Sequence, residues 1–314
     1  MNLSGKLKKA WNLIKSLKWR TFIERTRQNI KQAVVNSKKG KSFIYRTKMG
    51  FNFICIPTSA QSVHSYISGW GEEIELKSAC NWLLKGDSCL DIGANVGYYS
   101  AGFAEKVTTS GNVISAEASP KTAKHLEEMV RTLSLKQIHP ENVCITDTEG
   151  HTDFMVSLDT PHEHFQSIRI SREEEKFYKK ETIRTDTVDN LIRKYGIGKE
   201  VSLVKIDIEG AEPLALSGSS LLFNKEALPL FIAEITRDSL SQFGFGPDDI
   251  MNFFPPGSFE IYCVFFGKKP GTRLLRRLET SSIFNWPVHT NIIALPKIGK
   301  YAARKKRIEK YLSS

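Results

Sequence analysis

The chain has 314 residues, 40% of them hydrophobic and 25% charged, enough for one large domain with a sizeable core. No apolar run approaches the roughly 20 residues that cross a bilayer, which excludes a membrane-spanning helix. The net charge of +11 is unevenly placed: Met1–Gly50 hold fourteen Lys/Arg against Glu24 alone, and Lys297–Ser314 hold seven against Glu309. The two ends therefore carry +13 and +6, and the stretch between them carries −8. A mildly acidic centre between basic ends argues against a catalytic face that grips nucleic acid.

Leu3, Leu7, Ala10, Trp11, Ile14 and Leu17 recur at helical spacing, with Lys8, Lys9 and Lys15 on other faces. They predict a basic amphipathic helix that continues brokenly to Val35. Lysines interrupt every apolar run there, so no secretory signal core is expected. Such a helix packs on its own domain or a partner subunit, or lies on an anionic membrane surface. FIYRTKMGFNFICIP then reads as a hairpin turning near Met49-Gly50. From Glu72 onward strands and helices alternate. EEIELKSACNWLLK, GYYSAGFAEKV, SPKTAKHLEEMVRTL and DTVDNLIRKY read as helices, the third opened by Ser119-Pro120. SCLDIG, NVISAEA, ENVCIT, VSLVKIDIE and LPLFIAEIT read as strands, with a polar region after the third. This predicts an α/β fold, a mostly parallel sheet with helices on both faces, closed by EIYCVFFG and TNIIALP as antiparallel edge strands. Residues 1–50 are expected to be an extension, 51–296 the α/β domain and 297–314 a basic tail. Five cysteines (Cys55, Cys80, Cys89, Cys144, Cys263) are scattered, with no Cys-x-x-Cys pair and no His at ligand spacing. Reduced thiols and a cytoplasmic location are expected, with the inner face of a membrane within reach of the N-terminal helix.

The stretch CLDIGANVGYYS places Asp91 at a strand end and Gly93 and Gly97 just after it. Gly93 permits a tight turn without a side chain, and Gly97 lets the next helix approach closely. A dinucleotide site wants Gly-x-Gly-x-x-Gly around a pyrophosphate; here the spacing is Gly-x-x-x-Gly behind a carboxylate, which suits a cationic ligand better than a phosphate. Glu117, ending the next strand, is placed to accept hydrogen bonds from a ribose diol. Ribose and ammonium without phosphate describe S-adenosylmethionine.

DIGANVGYYS, AEASP, DTEG, TDTVDNL and VKIDIEGAE, in that order, resemble the FkbM-type family of S-adenosylmethionine-dependent methyltransferases over roughly Glu72 to Pro296. The resemblance implies a class I methyltransferase (Rossmann-like) fold and, usually, methyl transfer to an oxygen of a sugar or natural product. It implies cofactor binding by Asp91, Gly93, Asn95, Gly97 and Glu117, with Glu72 on the helix over the methionine end and Asp147 beside the adenine. AEASP departs from the family, which more often has an aromatic before the acid.

Methyl transfer to a hydroxyl needs positioning and a proton sink. Asp207 and Glu209 follow one strand and Glu234 sits on the next, so the three are expected to converge as general base, substrate anchor or ligands of a divalent cation. Glu212 is expected to cap the helix that follows. His162 and His164, a His-x-His in the polar region, and His289 are weaker candidates. The expected partner is a small-molecule or glycan acceptor, and an anionic membrane surface stays open through the N-terminal helix. The rivals are a nucleic-acid methyltransferase, which the charge distribution disfavours, and a non-catalytic adaptor with a vestigial fold.

Overall fold

The computed structural model describes residues 3–69, 71–158, 167–169, 175–197, 201–266, 273–278 and 289–313. In chain order it contains α1 (Leu3–Ser37), β1 (Phe43–Arg46), β2 (Asn52–Cys55), α2 (Ala60–Ile67), α3 (Glu73–Trp82), β3 (Ser88–Ile92) and α4 (Tyr98–Val107). There follow β4 (Asn112–Glu117), α5 (Pro120–Leu133), β5 (Ile138–Asn142), β6 (Cys144–Ile145), β7 (Gly150–Ser157), β8 (Tyr178–Asp186), α6 (Val188–Tyr195) and β9 (Val201–Ile206). The last part comprises α7 (Glu212–Ser217), β10 (Leu230–Thr236), α8 (Arg237–Gln242), α9 (Pro247–Met251), β11 (Phe259–Phe266), β12 (Arg273–Arg277), β13 (His289–Pro296) and β14 (Leu312–Ser313).

Nine strands form one sheet in the order β14-β12-β11-β13-β10-β9-β3-β4-β5. The five from β10 to β5 are mutually parallel, and β13 joins β10 antiparallel. The chain runs outward from β3 through β4 to β5, then returns to β9 on the other side of β3. Strand order thus reverses between β3 and β9, where open α/β sheets open a crevice at their carboxyl ends. Strands buried on both faces explain the near-continuous apolar runs in β3, β9 and β10. One apolar cluster, with Trp82, Phe103 and Leu126, packs α3, α4 and α5 on one face; a second, with Leu191, Leu216 and Phe231, packs α6 and α7 on the other.

Two expectations are corrected. The third sheet strand is IHPEN, not ENVCIT, because β5 is an edge and Pro140 removes no ladder hydrogen bond there. EIYCVFFG and TNIIALP do close the sheet antiparallel, as β11 and β13, and β12 and β14 continue it beyond β11. The polar region contains an antiparallel pair, β7 with β8, which β6 extends to a separate three-stranded sheet. Its alternating burial leaves too few apolar residues to mark it in the sequence.

The hairpin near Met49-Gly50 forms as expected. The basic end packs back on the domain: Tyr301 and Ile308 are buried, β14 pairs with β12, and Arg304 forms an ion pair with Asp87. Helix α1 is anchored near its end, where Val35 is buried and the Lys31 ammonium donates to the Tyr66 and Ile67 carbonyls. All five cysteines are free and buried.

Candidate active site

A cavity of about 420 Å³ opens at the carboxyl ends of β3, β4, β9 and β10, at the strand reversal. The turn after β3 forms its floor. Gly93 and Ala94 both donate to the Ala116 carbonyl at 2.9 Å, which folds the loop over the end of β4. Gly93 has φ +77°, and a Cβ there would stand 1.8 Å from the Asp207 carbonyl oxygen, so only glycine fits between the two strand exits. Gly97 begins α4 at φ +85° and faces Met129 and Leu126 of α5; it permits helix packing and does not line the cavity.

Asn95 lines the cavity, and its N–H donates to Glu117 Oε2 at 2.9 Å. The Ser119 N–H donates to Glu117 Oε1, also at 2.9 Å. Burial raises the Glu117 carboxyl to about 7, although these two N–H groups pull it down. Val143, Cys144 and Ile145 continue the wall beside it as an apolar surface, roofed by Phe154 and Ile168.

Asp91 is displaced from the expected place. It is fully buried behind the cavity wall, where Ser100 donates to its Oδ2 at 2.6 Å and the Lys205 ammonium lies 3.9 Å from Oδ1. Burial raises its carboxyl, against the pull of Lys205. Its role is to hold Lys205, because β3 and β9 pair Asp91 with Lys205 in register. Asp147 is exposed and off the cavity wall; the chain turns away after β6, leaving the Val143–Ile145 stretch there instead.

Asp207, Glu209 and Glu234 do converge, each offering an oxygen within 4.8 Å of the others. The Asp207 N–H donates to the Ile92 carbonyl at 3.0 Å, and its Oδ2 accepts from Lys205 at 3.0 Å. Glu209 follows in a left-handed conformation at φ +55°, a strained position for a side-chain-bearing residue. Burial, then Asp207 and Glu212 beside it, raise its carboxyl to about 8. Glu234 is only 6% exposed; its Oε1 is 3.2 Å from His289 Nδ1 and its Oε2 has no hydrogen-bond partner among the described residues. Burial first, then Asp207 and Glu209, push it well above the usual carboxylate range. Glu212 is structural: its Oε1 accepts from the Ile208 and Gly210 N–H groups and so shapes the loop carrying Glu209. Glu72 lies on the cavity wall, fixed by the Asn291 amide at 3.0 Å.

Lys205 and Tyr99 complete the wall and were not anticipated. Burial would lower the Lys205 ammonium, but Asp207, Asp91 and Glu72 outweigh it and hold it above the ordinary lysine range. Its one sequence signal is a lysine interrupting the apolar strand VSLVKI. Tyr99, beneath the Lys205 ammonium at 5.0 Å, has no signal that separates it from Tyr98, which packs on Phe51 and Phe53. His289 faces Glu234, whereas His162 and His164 lie outside the described residues.

A model of the FkbM methyltransferase domain matches residues 91–261, more than half of the chain. The chain belongs to the FkbM methyltransferase family. A model of protein-L-isoaspartate(D-aspartate) O-methyltransferase matches residues 8–159, an overlapping stretch. No curated protein matches the chain in sequence. Among solved structures, it is similar to methyltransferase FkbM from Methylobacillus flagellatus, at 15% identity and TM-score 0.39 over 74% of this chain and 52% of that one. It is also similar to a SAM-dependent O-methyltransferase from Thermotoga maritima, at 14% identity and TM-score 0.37 over 81% and 77% of the two chains. A third likeness is to a precorrin-6y C5,15-methyltransferase from Geobacter metallireducens, at 10% identity and TM-score 0.38 over 71% and 86%. The chain spans about half the length of the Methylobacillus structure.

S-adenosylmethionine is the family's cofactor, and the wall fits it. Among the described residues the wall carries five carboxylates (Glu72, Glu117, Asp207, Glu209, Glu234) against one lysine, which favours a cationic ligand and disfavours a phosphate. Glu117, fixed by the Asn95 and Ser119 N–H groups, shares that wall with the apolar Val143–Ile145 surface.

Proposed function

We propose that this methyltransferase acts on a hydroxyl oxygen of a sugar, in a glycan or a glycosylated metabolite. The observation that supports it most is the convergence of Asp207, Glu209 and Glu234 at one end of the cofactor cavity. When bound, the cofactor supplies an electrophilic methyl group on a sulfonium. A hydroxyl acceptor must lose its proton as it is methylated, and it must first be held in line. Asp207, oriented by Lys205, is the residue nearest to hand for that proton, and Glu209 and Glu234 complete the acidic side of the site that faces the acceptor. Glu117 binds the ribose and Glu72 flanks the cationic end. The excess of carboxylates also opposes a phosphate-rich acceptor, which supports a glycan over RNA. The test is incubation of the full chain with methyl-labelled cofactor and separate glycan, lipid-linked glycan, RNA and metabolite fractions. Mass spectrometry should find the label as a sugar methyl ether; label confined to RNA would refute the reading.

We also propose that α1 lies on an anionic membrane surface. Trp19, Phe22, Ile23 and Ile30 recur at helical spacing and are 65%, 62%, 52% and 61% exposed, within a segment of net charge +13. Over this part the helix does not bury its apolar stripe on its own domain. Charge complementarity favours anionic lipid as what covers it.

A further inference from the structure

We infer that Asp207, Glu209 and Glu234 bind a divalent cation of the oxygen-preferring class, such as Mg²⁺ or Mn²⁺. The inference rests on the reading of this cavity as the methyl-transfer site. Three carboxylates from two adjacent strand exits bring oxygens within 4.8 Å of one another, a spacing that one ion can span. A second observation points to a ligand: Glu234 is 94% buried by its 6% exposure, lines the cavity, and leaves Oε2 without a partner among the described residues. An unpartnered buried carboxylate oxygen is costly unless a proton or a cation meets it.

Each acid already has a protein partner. Lys205 holds Asp207 Oδ2 at 3.0 Å, Ser239 lies 3.5 Å from Glu209 Oε2, and His289 Nδ1 lies 3.2 Å from Glu234 Oε1. These contacts orient the carboxylates as outer partners of metal ligands do. Lys205 is the only lysine on the wall among the described residues, and it is shared with the buried Asp91 at 3.9 Å. Lys205 forms ion pairs with Asp91 and Asp207, and among the described residues Glu209 and Glu234 take no lysine partner. An all-carboxylate donor set selects hard cations over zinc or copper. Three carboxylates leave further coordination positions, which adjacent hydroxyls of a sugar could fill.

The test uses the full chain freed of metal by chelation and dialysis. Mn²⁺ is titrated in and free Mn²⁺ followed by electron paramagnetic resonance, with Mg²⁺ as competitor. S-adenosylhomocysteine binding is measured by calorimetry with and without chelator. The expected result is one Mn²⁺ site, displaced by Mg²⁺ and weakened at least tenfold in Asp207→Asn and Glu234→Gln, but unchanged in Asp153→Asn, an exposed acid of β7. Bound Mn²⁺ should also broaden the resonances of S-adenosylhomocysteine on the unaltered protein, a readout independent of whether any variant folds. Absence of Mn²⁺ binding, with S-adenosylhomocysteine still bound, overturns the cation site and leaves the methyl-transfer reading standing. Mn²⁺ that binds without broadening those resonances overturns the site's location. Failure to bind S-adenosylhomocysteine under any condition overturns the underlying reading of the cavity.

Discussion

The Asn95 N–H donates to Glu117 Oε2 at 2.9 Å, tying the turn after β3 to the last residue of β4. One carboxylate thus does two things, closing the loop and presenting lone pairs to the cavity. Glu117→Ala should weaken S-adenosylmethionine binding by about 1–3 kcal/mol, the cost of leaving buried donors without a partner. Calorimetry with wild type and variant checks it, and equal affinities would remove Glu117 from the cofactor site.

The same residue sets a pH dependence. Its carboxyl is raised from 4.5 to about 7 in the fold, so the folded state holds this proton more tightly than the unfolded one. The stability it contributes is full below 4.5 and is lost as pH rises through about 7. Cofactor binding has the opposite sign, because the ionised carboxylate is the better acceptor of ribose hydroxyls. Affinity should rise with pH through about 7 in wild type, and that step should be missing in Glu117→Gln. Calorimetric titrations on either side of that pH decide the matter; parallel profiles would show that another group titrates.

Gly93 and Gly97 should fail differently. Gly93→Ala drives a methyl into the Asp207 carbonyl, an unyielding backbone atom, and should remove both cofactor binding and much of the fold's stability. Gly97→Ala meets only the ends of Met129 and Leu126, which can shift. It should cost about 1–2 kcal/mol for its left-handed backbone while leaving most of the affinity. Denaturant melts and calorimetry on both variants give the order, and a reversed order would contradict the packing described.

Lys205 is the buried cation between Asp91 and Asp207. Lys205→Met strands both carboxylates and should destabilise the protein by about 3 kcal/mol or more. Adding Asp91→Asn should recover part of that loss, because it removes one stranded charge. Chemical denaturation of the two single variants and the double variant measures the coupling; strict additivity would mean that the pair does not interact.

Asp207→Asn keeps the shape and removes the charge. Turnover should fall at least tenfold, about 1.4 kcal/mol of barrier, with cofactor affinity nearly unchanged. Single-turnover rates beside calorimetry separate the two, and unchanged turnover would move the proton acceptor elsewhere.

Flotation of the full chain with anionic liposomes tests the surface role of α1. Binding should be reduced by Trp19→Glu with Phe22→Glu and only partly by salt, since insertion of apolar side chains is not screened whereas attraction to headgroups is. Unchanged flotation by that variant would remove the membrane reading.

Much of this protein could be read along the chain. The strand that ends at Asp91, the glycine turn, the acid ending β4 and the two acids after β9 are local signals, because alternation, helical period and positive-φ turns act over a few residues. The partnerships were decided only in three dimensions. Asp91 was expected against the cofactor, yet the β3–β9 register turns it onto Lys205. Asp147 was expected in the cavity, but the turn after β6 carries it outside. His289, 55 residues from Glu234, reaches it only because β13 inserts antiparallel beside β10. Local sequence determines where a strand ends and which residue stands there; the pairing of distant strands determines what that residue faces, because burial, charge pairing and register depend on contacts that no stretch of the chain contains by itself.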